Sequence, residues 1–220
     1  MKSRYTLIAL CLLSCGAAAA ETPMPEMVAG IAHRWATINY QDPEKDRESE
    51  FNNLAGQAEQ IAKNNPGKAE PMIWQAIVLA SEAKVEGGLG ALSKVKQARD
   101  LLLAAEKIDP NALNGSVYTS LGSLYAKVPG WPIGFGDSGK ARAYLEMALK
   151  INPNGIDSHY FYADFLNAKG EYSKAMDHLN QALAAPPRPG REDADAGRRK
   201  EVETLMAEIR AKHGDQLVTK

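Results

Sequence analysis

The stretch "AKGEYSKAMDHLNQALAAPP", Ala168 to Pro187, decides the fold. Gly170 sits in a short polar turn and Tyr172 opens a helical run. Ala175, Leu179 and Ala182 then fall four and three residues apart, which places them on one face of a helix. Pro187, five residues further on, cannot continue that helix. Two small residues flanking a large one describe a face built to receive another helix at close range.

Working outward, the same rule recurs: small, four on an apolar residue, three on a small one, five on proline. It is met by Ala141, Leu145, Ala148 and Pro153, and by Ala98, Leu102, Ala105 and Pro110. Leu54, Ala58, Ile61 and Pro66 meet it in degenerate form. "KIDPN" at 107–111 and "KINPN" at 150–154 punctuate the middle units alike. Periods of this size signal a repeat array rather than a single irregular core.

On these residues the chain resembles the tetratricopeptide repeat, a helix–turn–helix unit of about 34 residues. Ala163 stands where the family places a small residue in the first helix, and Gly170 and Tyr172 fit its tight turn. The resemblance covers about residues 24 to 189. It implies an all-α fold, a short α-solenoid of about four helix pairs with a C-terminal capping helix. The expected division is a degenerate first helix pair over 21–66 and repeats over 67–112, 113–155 and 156–189. A capping helix over 190–213 follows, and then a loose tail over 214–220. Val202, Leu205, Met206 and Ile209 recur at helical spacing in that last helix. They should cover the apolar face of the final repeat, since each unit of an array buries its core only against a neighbour.

The first twenty residues read as an export signal over 1–20. Lys2 and Arg4 form a positive start, "YTLIALCLL" is apolar, and Ala18 and Ala20 fit a small-residue cleavage site. The uncharged run from Tyr5 to Ala20 falls short of the roughly 20 residues a spanning helix needs. Both cysteines, Cys11 and Cys15, lie here, so cleavage after Ala20 leaves no thiol chemistry. "LLSC", Leu12 to Cys15, also resembles a lipobox, in which case Cys15 carries a lipid anchor. The first reading places the protein in the periplasm and the second on a membrane surface. The whole chain carries 26 basic and 27 acidic side chains, so nothing in its charge points to nucleic acid.

One segment breaks the pattern. "KVPGWPIGFGDSGKA", Lys127 to Ala141, puts two prolines, four glycines, Trp131 and Phe135 where the third repeat should make a short turn. Gly122 and Ala141 lie seven residues further apart than Ala163 and Ala175, so the turn is enlarged. Asp137 or Ser138 then caps the next helix. "KVEGGLGALSKVKQA" is expected to enlarge the turn of the second repeat likewise. Turns within repeats share one edge of a solenoid, so the two insertions should stand side by side as a lip over the concave groove. Trp131 and Phe135 either fold back over the helix ends or present an apolar surface to a partner.

No catalytic constellation is present in the sequence. His33, His159, His178 and His213 lack zinc-ligand spacing, and the glycines of "EGGLGALSK" lack the spacing of a phosphate loop. No cofactor or metal is expected. The resemblance places the first helix of each repeat on the concave face. It brings Trp74, Thr119, Ser123, Tyr160, Asp164 and Asn167 there, in a groove expected to be neutral to slightly acidic. These positions do not match the Lys and Asn of the carboxylate-clamp subtype. The loop and the "APPRPGR" end make the chain similar to exported proteobacterial members carrying a VPGWPxGFGD-type loop, a likeness that implies no activity. The expected function is an exported, non-enzymatic adaptor that binds another envelope protein through groove and lip, in an unknown oligomeric state. The alternative is a protein that resembles the T-components of TRAP transporters. There the repeat body would hold a small apolar solute and dock to a solute receptor.

Overall fold

The small–large–small faces are the seams of the molecule. In a computed structural model describing residues 24–217, Ala98, Leu102, Ala105, Ala141, Leu145, Ala148, Ala175, Leu179 and Ala182 are all essentially without solvent exposure. So are Leu54 and Ala58, while Ile61 of the degenerate unit is half-buried. Each buried leucine at such a seam contributes about 1.5–3 kcal/mol. The leader and Cys15 lie outside the described residues.

The helices are α1 (Glu26–Tyr40), α2 (Arg47–Asn64), α3 (Ala69–Glu86), α4 (Gly88–Ile108), α5 (Ala112–Lys127), α6 (Ser138–Ile151), α7 (Ile156–Ala168), α8 (Tyr172–Ala184) and α9 (Glu192–Leu217). A 3-10 turn at Glu44–Asp46 precedes α2. Successive helices pair antiparallel, and α1, α3, α5 and α7 also touch in sequence as an inner row. The described residues thus form an all-α solenoid of four pairs with a C-terminal helix. Close pairing depends on residues without bulk. A Cβ added at Gly122 in α5 would lie 2.6 Å from Leu145 Cγ and 3.1 Å from the Leu145 backbone nitrogen. The turn between α7 and α8 closes with Gly170 N–H donating to Asn167 O and Glu171 N–H to Leu166 O.

Three features depart from the sequence expectation. The enlarged turn of the second repeat is not a loop: Gly87 alone separates α3 from α4. The extra residues are strong helix formers such as Glu, Ala, Lys and Leu, so they lengthen the helices instead. Second, α5 opens with Leu113, Asn114 and Gly115 in the left-handed region, at φ 50°, 54° and 76°, before its regular body runs from Ser116. Third, α9 passes a break at His213 and stays helical to Leu217, where the sequence suggests a loose tail. Leu217 packs on the main core and Tyr172 stacks on His213 with ring centroids 3.8 Å apart.

The last helix also does more than cover the final pair. It packs on α7 and α8, burying Val202, Leu205, Met206 and Ile209 as the periodicity predicts, and it reaches α1 as well. Ala194 belongs to the core shared by α1 and α2. Any side chain at Gly197 would run into the Tyr40 ring. Tyr40 Oη donates to Glu201 at 3.1 Å. The two ends of the array therefore meet.

Candidate functional site

That meeting turns the concave groove into a partly enclosed cavity of about 670 Å³. Its size lies within the roughly 300–1,000 Å³ of small-molecule sites. The inner-row helices supply the floor, with Trp35 from α1, Trp74 and Ile77 from α3, and Tyr160 and Phe161 from α7. The first turns of α4 add Leu92 and Val95 to the lining, and the loop of the third repeat adds Val128, Pro129 and Ile133. Both insertions thus face the same cavity, one as a helix extension and one as a loop.

The closed end is ionic. Arg188, in the linker before α9, donates from Nη1 to Asp157 Oδ2 at 2.7 Å and from Nη2 to Asp195 Oδ1 at 2.6 Å. Arg198 of α9 donates from Nε to Asp157 Oδ1 at 2.7 Å and from Nη1 to Glu201 at 2.5 Å. Its guanidinium also lies over Tyr160 and Phe161, at 4.5 and 4.6 Å from the ring centroids. Burial would raise the Asp157 carboxyl, but the charges of Arg188, Arg198 and Arg191 outweigh it and hold the group well below the carboxylate range. Burial pushes the Tyr160 phenol up to about 12.

Beside this network stands Arg191, whose guanidinium lies 5.2 Å above the Trp74 ring and makes no ion pair among the described residues. Burial and then the neighbouring charge of Arg188 hold it below its ordinary value. Its Nε–H and the Trp74 Nε1–H are buried donors without an acceptor. Trp35, packed edge-on to Trp74 at 6.1 Å, has its Nε1–H satisfied by Ser81 Oγ at 2.8 Å.

Of the groove residues read from sequence, Trp74, Thr119, Ser123, Tyr160 and Asp164 line this cavity. Asn167 does not. It faces a smaller recess with Tyr172, Lys212 and His213, because it lies near the C-terminal end of α7 beside α9. Trp74 is buried to 3% exposure. The groove is also not neutral to slightly acidic. Arg188, Arg191 and Arg198 reach it from the linker and the last helix, which repeat geometry alone does not place there. Their signal in the sequence is the arginine-rich run "RPGREDADAGRR", which leads from the linker into the first turns of α9.

The two loop aromatics part company. Trp131 is 89% exposed and Ile133 is 66% exposed. Phe135 turns inward, edge-on to Tyr125 at 5.5 Å with Arg99 over its ring at 4.5 Å. The backbone beneath them is tied: Gly134 N–H donates to Gly130 O at 3.0 Å, Gly136 N–H to Pro129 O at 2.9 Å, and Asp137 N–H to Tyr125 O at 2.9 Å. Asp137 caps α6, its Oδ1 accepting from Gly139 and Lys140 N–H. The loop is folded on itself yet presents an indole to solvent.

His159 and His178, nineteen residues apart, face each other across α7 and α8 with Nδ1 atoms 2.9 Å apart. His159 Nε2 meets Pro153 O at 2.8 Å. Since that nitrogen must donate, the neutral His159 Nδ1 accepts from His178. Among the described residues no group of three or more His, Cys, Asp or Glu could hold a metal, and no helix is long and apolar enough to cross a membrane.

Fold and cavity define an all-α repeat scaffold. A family model described as a tetratricopeptide repeat matches residues 133–191, from the exposed loop through α6, α7 and α8 into the linker. Repeats of this kind are generally non-enzymatic scaffolds for protein–protein interaction. No curated protein matches the chain.

Proposed function

We propose that this is an exported adaptor of the bacterial cell envelope that binds another envelope protein through the 128–137 loop and the mouth of the cavity beside it. The observation that carries this reading is Trp131, 89% exposed on a loop whose backbone is held by its own hydrogen bonds. An ordered, exposed indole costs little entropy to bury, and tryptophan is enriched among interface hot spots. The test is capture by the tagged mature chain from gently solubilised envelope of its own host. A partner held by the parent and lost by Trp131→Ala, with unchanged circular dichroism, supports the reading. A partner that survives the substitution removes the loop from the interface.

A second reading has one observation in its favour, the largely apolar cavity of about 670 Å³ closed at one end by α9. It resembles a holder of a small apolar solute that docks to a transport receptor. An apolar molecule extracted from the purified protein and identified by mass spectrometry would support it.

A further inference from the structure

Arg191 and Trp74 sit together on the cavity wall with their binding capacity unused. Three other cations lining the cavity are already matched: Arg188 and Arg198 to Asp157, Asp195 and Glu201, and Lys127 to Asp164 at 2.5 Å. Among the described residues Arg191 makes no ion pair, Asp157, Asp195 and Asp193 acting on it only from beyond contact, and its Nε–H and the Trp74 Nε1–H are buried donors lacking an acceptor. Buried donors are nearly always satisfied, so each such pair calls for an explanation. The missing partner has to be an acceptor, and beside a guanidinium an anionic one is favoured. Lys84, exposed to solvent, also lines the cavity and adds positive charge to it.

We propose that the cavity binds a small amphipathic carboxylate, its head seated on Arg191 above Trp74 and its hydrocarbon body along Ile77, Leu92, Val95 and Val128. A peptide fits this wall less well. It would carry a backbone donor and acceptor per residue past those four side chains, which satisfy neither. A single-headed hydrocarbon places its one polar group where the wall has a half-buried guanidinium whose Nε–H lacks an acceptor. This inference rests on the concave face being a binding surface and goes beyond the adaptor reading by naming an occupant.

The test is calorimetric titration of the mature chain with decanoate and, separately, with decan-1-ol. The expected result is that decanoate binds about tenfold or more tightly than the alcohol, as a charge-assisted hydrogen bond requires. Arg191→Met should weaken decanoate by roughly ten- to a hundredfold and leave the alcohol unchanged. Arg191→Lys should keep most of the preference. Val95→Trp, which narrows the apolar wall while leaving Arg191 in place, should weaken binding of both probes. Equal affinity for acid and alcohol on the parent overturns the proposal, and that comparison needs no folded variant. Undiminished decanoate binding by Arg191→Met or by Val95→Trp also overturns it. Failure here is distinct from failure of the adaptor reading. A parent that captures its partner through Trp131 but binds neither probe overturns this inference alone.

Discussion

Replacing Asp157 with Asn tests whether the ionic end of the cavity holds the array closed. The carboxylate is shared by Arg188 and Arg198, at 2.7 Å each, and these two side chains are only 12% and 8% exposed. Asn keeps an acceptor oxygen but removes the charge, leaving two buried guanidinium groups with one carboxylate each, Asp195 and Glu201. Removing one partner of a buried pair costs about 3–5 kcal/mol. Asp157 itself is 29% exposed and both arginines retain a partner, so the lower end applies, about 3 kcal/mol. For a chain of this length that lowers the melting temperature by about 6–12 °C. The matched control is Asp164→Asn, whose partner Lys127 is 59% exposed and whose loss should cost about 1 kcal/mol or less. The pH dependence has a definite sign. The folded carboxyl is held below its ordinary 3.8, so its stabilisation is complete above that value and is lost as pH falls below it. The gap between parent and Asp157→Asn should therefore narrow in acid. Thermal melts by circular dichroism read both effects. An Asp157→Asn variant that melts with the Asp164→Asn control would refute the reasoning.

The loop aromatics should separate in stability as they do in exposure: Trp131→Ala should stay within about 0.5 kcal/mol of the parent. Phe135→Ala should lose about 2 kcal/mol, less than the 3–5 of a fully buried phenylalanine because it is half-buried against Tyr125. Urea midpoints decide this, and equal effects would sink the distinction. The histidine pair should make the protein acid-sensitive. Burial lowers both groups, opposed at His159 by the Pro153 carbonyl and reinforced at His178 by the charge of His159. The unfolded chain then binds protons more readily, so stability is level above the ordinary 6.5 and falls as pH drops below it. His178→Gln should flatten that part of the profile in a melting series, and an unchanged slope would rule the pair out as its source.

What the sequence disclosed follows from what its pattern encodes. Ala141, Leu145 and Ala148 report a seam because helix periodicity and residue size alone fix which atoms meet there. Asp137 reports a cap for an equally local reason. Repeat geometry reached Trp74, Thr119, Ser123, Tyr160 and Asp164 because those positions follow from one unit's frame. It could not place Arg188, Arg191 or Arg198, since their positions depend on how the chain leaves the last repeat. Nor could spacing show His159 beside His178, because the contact is made across a pair of helices rather than along one. The insertions divide on composition. "KVEGGLGALSKVKQA" holds enough helix formers to extend α3 and α4, whereas Pro129 and Pro132 forbid that in the third repeat and leave a loop.

The same end-to-end contact sets the role of α9. A cap that merely covers the last unit should, when removed, fray that unit and leave the rest standing, because repeat arrays are stabilised between nearest neighbours. Here Val202, Leu205, Met206 and Ile209 are buried against α7 and α8, while Ala194 and Gly197 lie against α1 and Glu201 holds Tyr40. Four such side chains represent about 6–12 kcal/mol of burial, comparable with the whole stability of a domain at about 5–15 kcal/mol. Removal also strands Arg188 and Asp157 and uncovers the first pair. A chain ending at Arg191 should therefore lose helicity throughout rather than from α7 and α8 alone. Far-ultraviolet circular dichroism with size-exclusion chromatography reads the result. If the shortened chain retained a monomeric, cooperatively melting α1–α4 body, the contact between the ends would be incidental, and the cavity would owe its shape to the repeats alone.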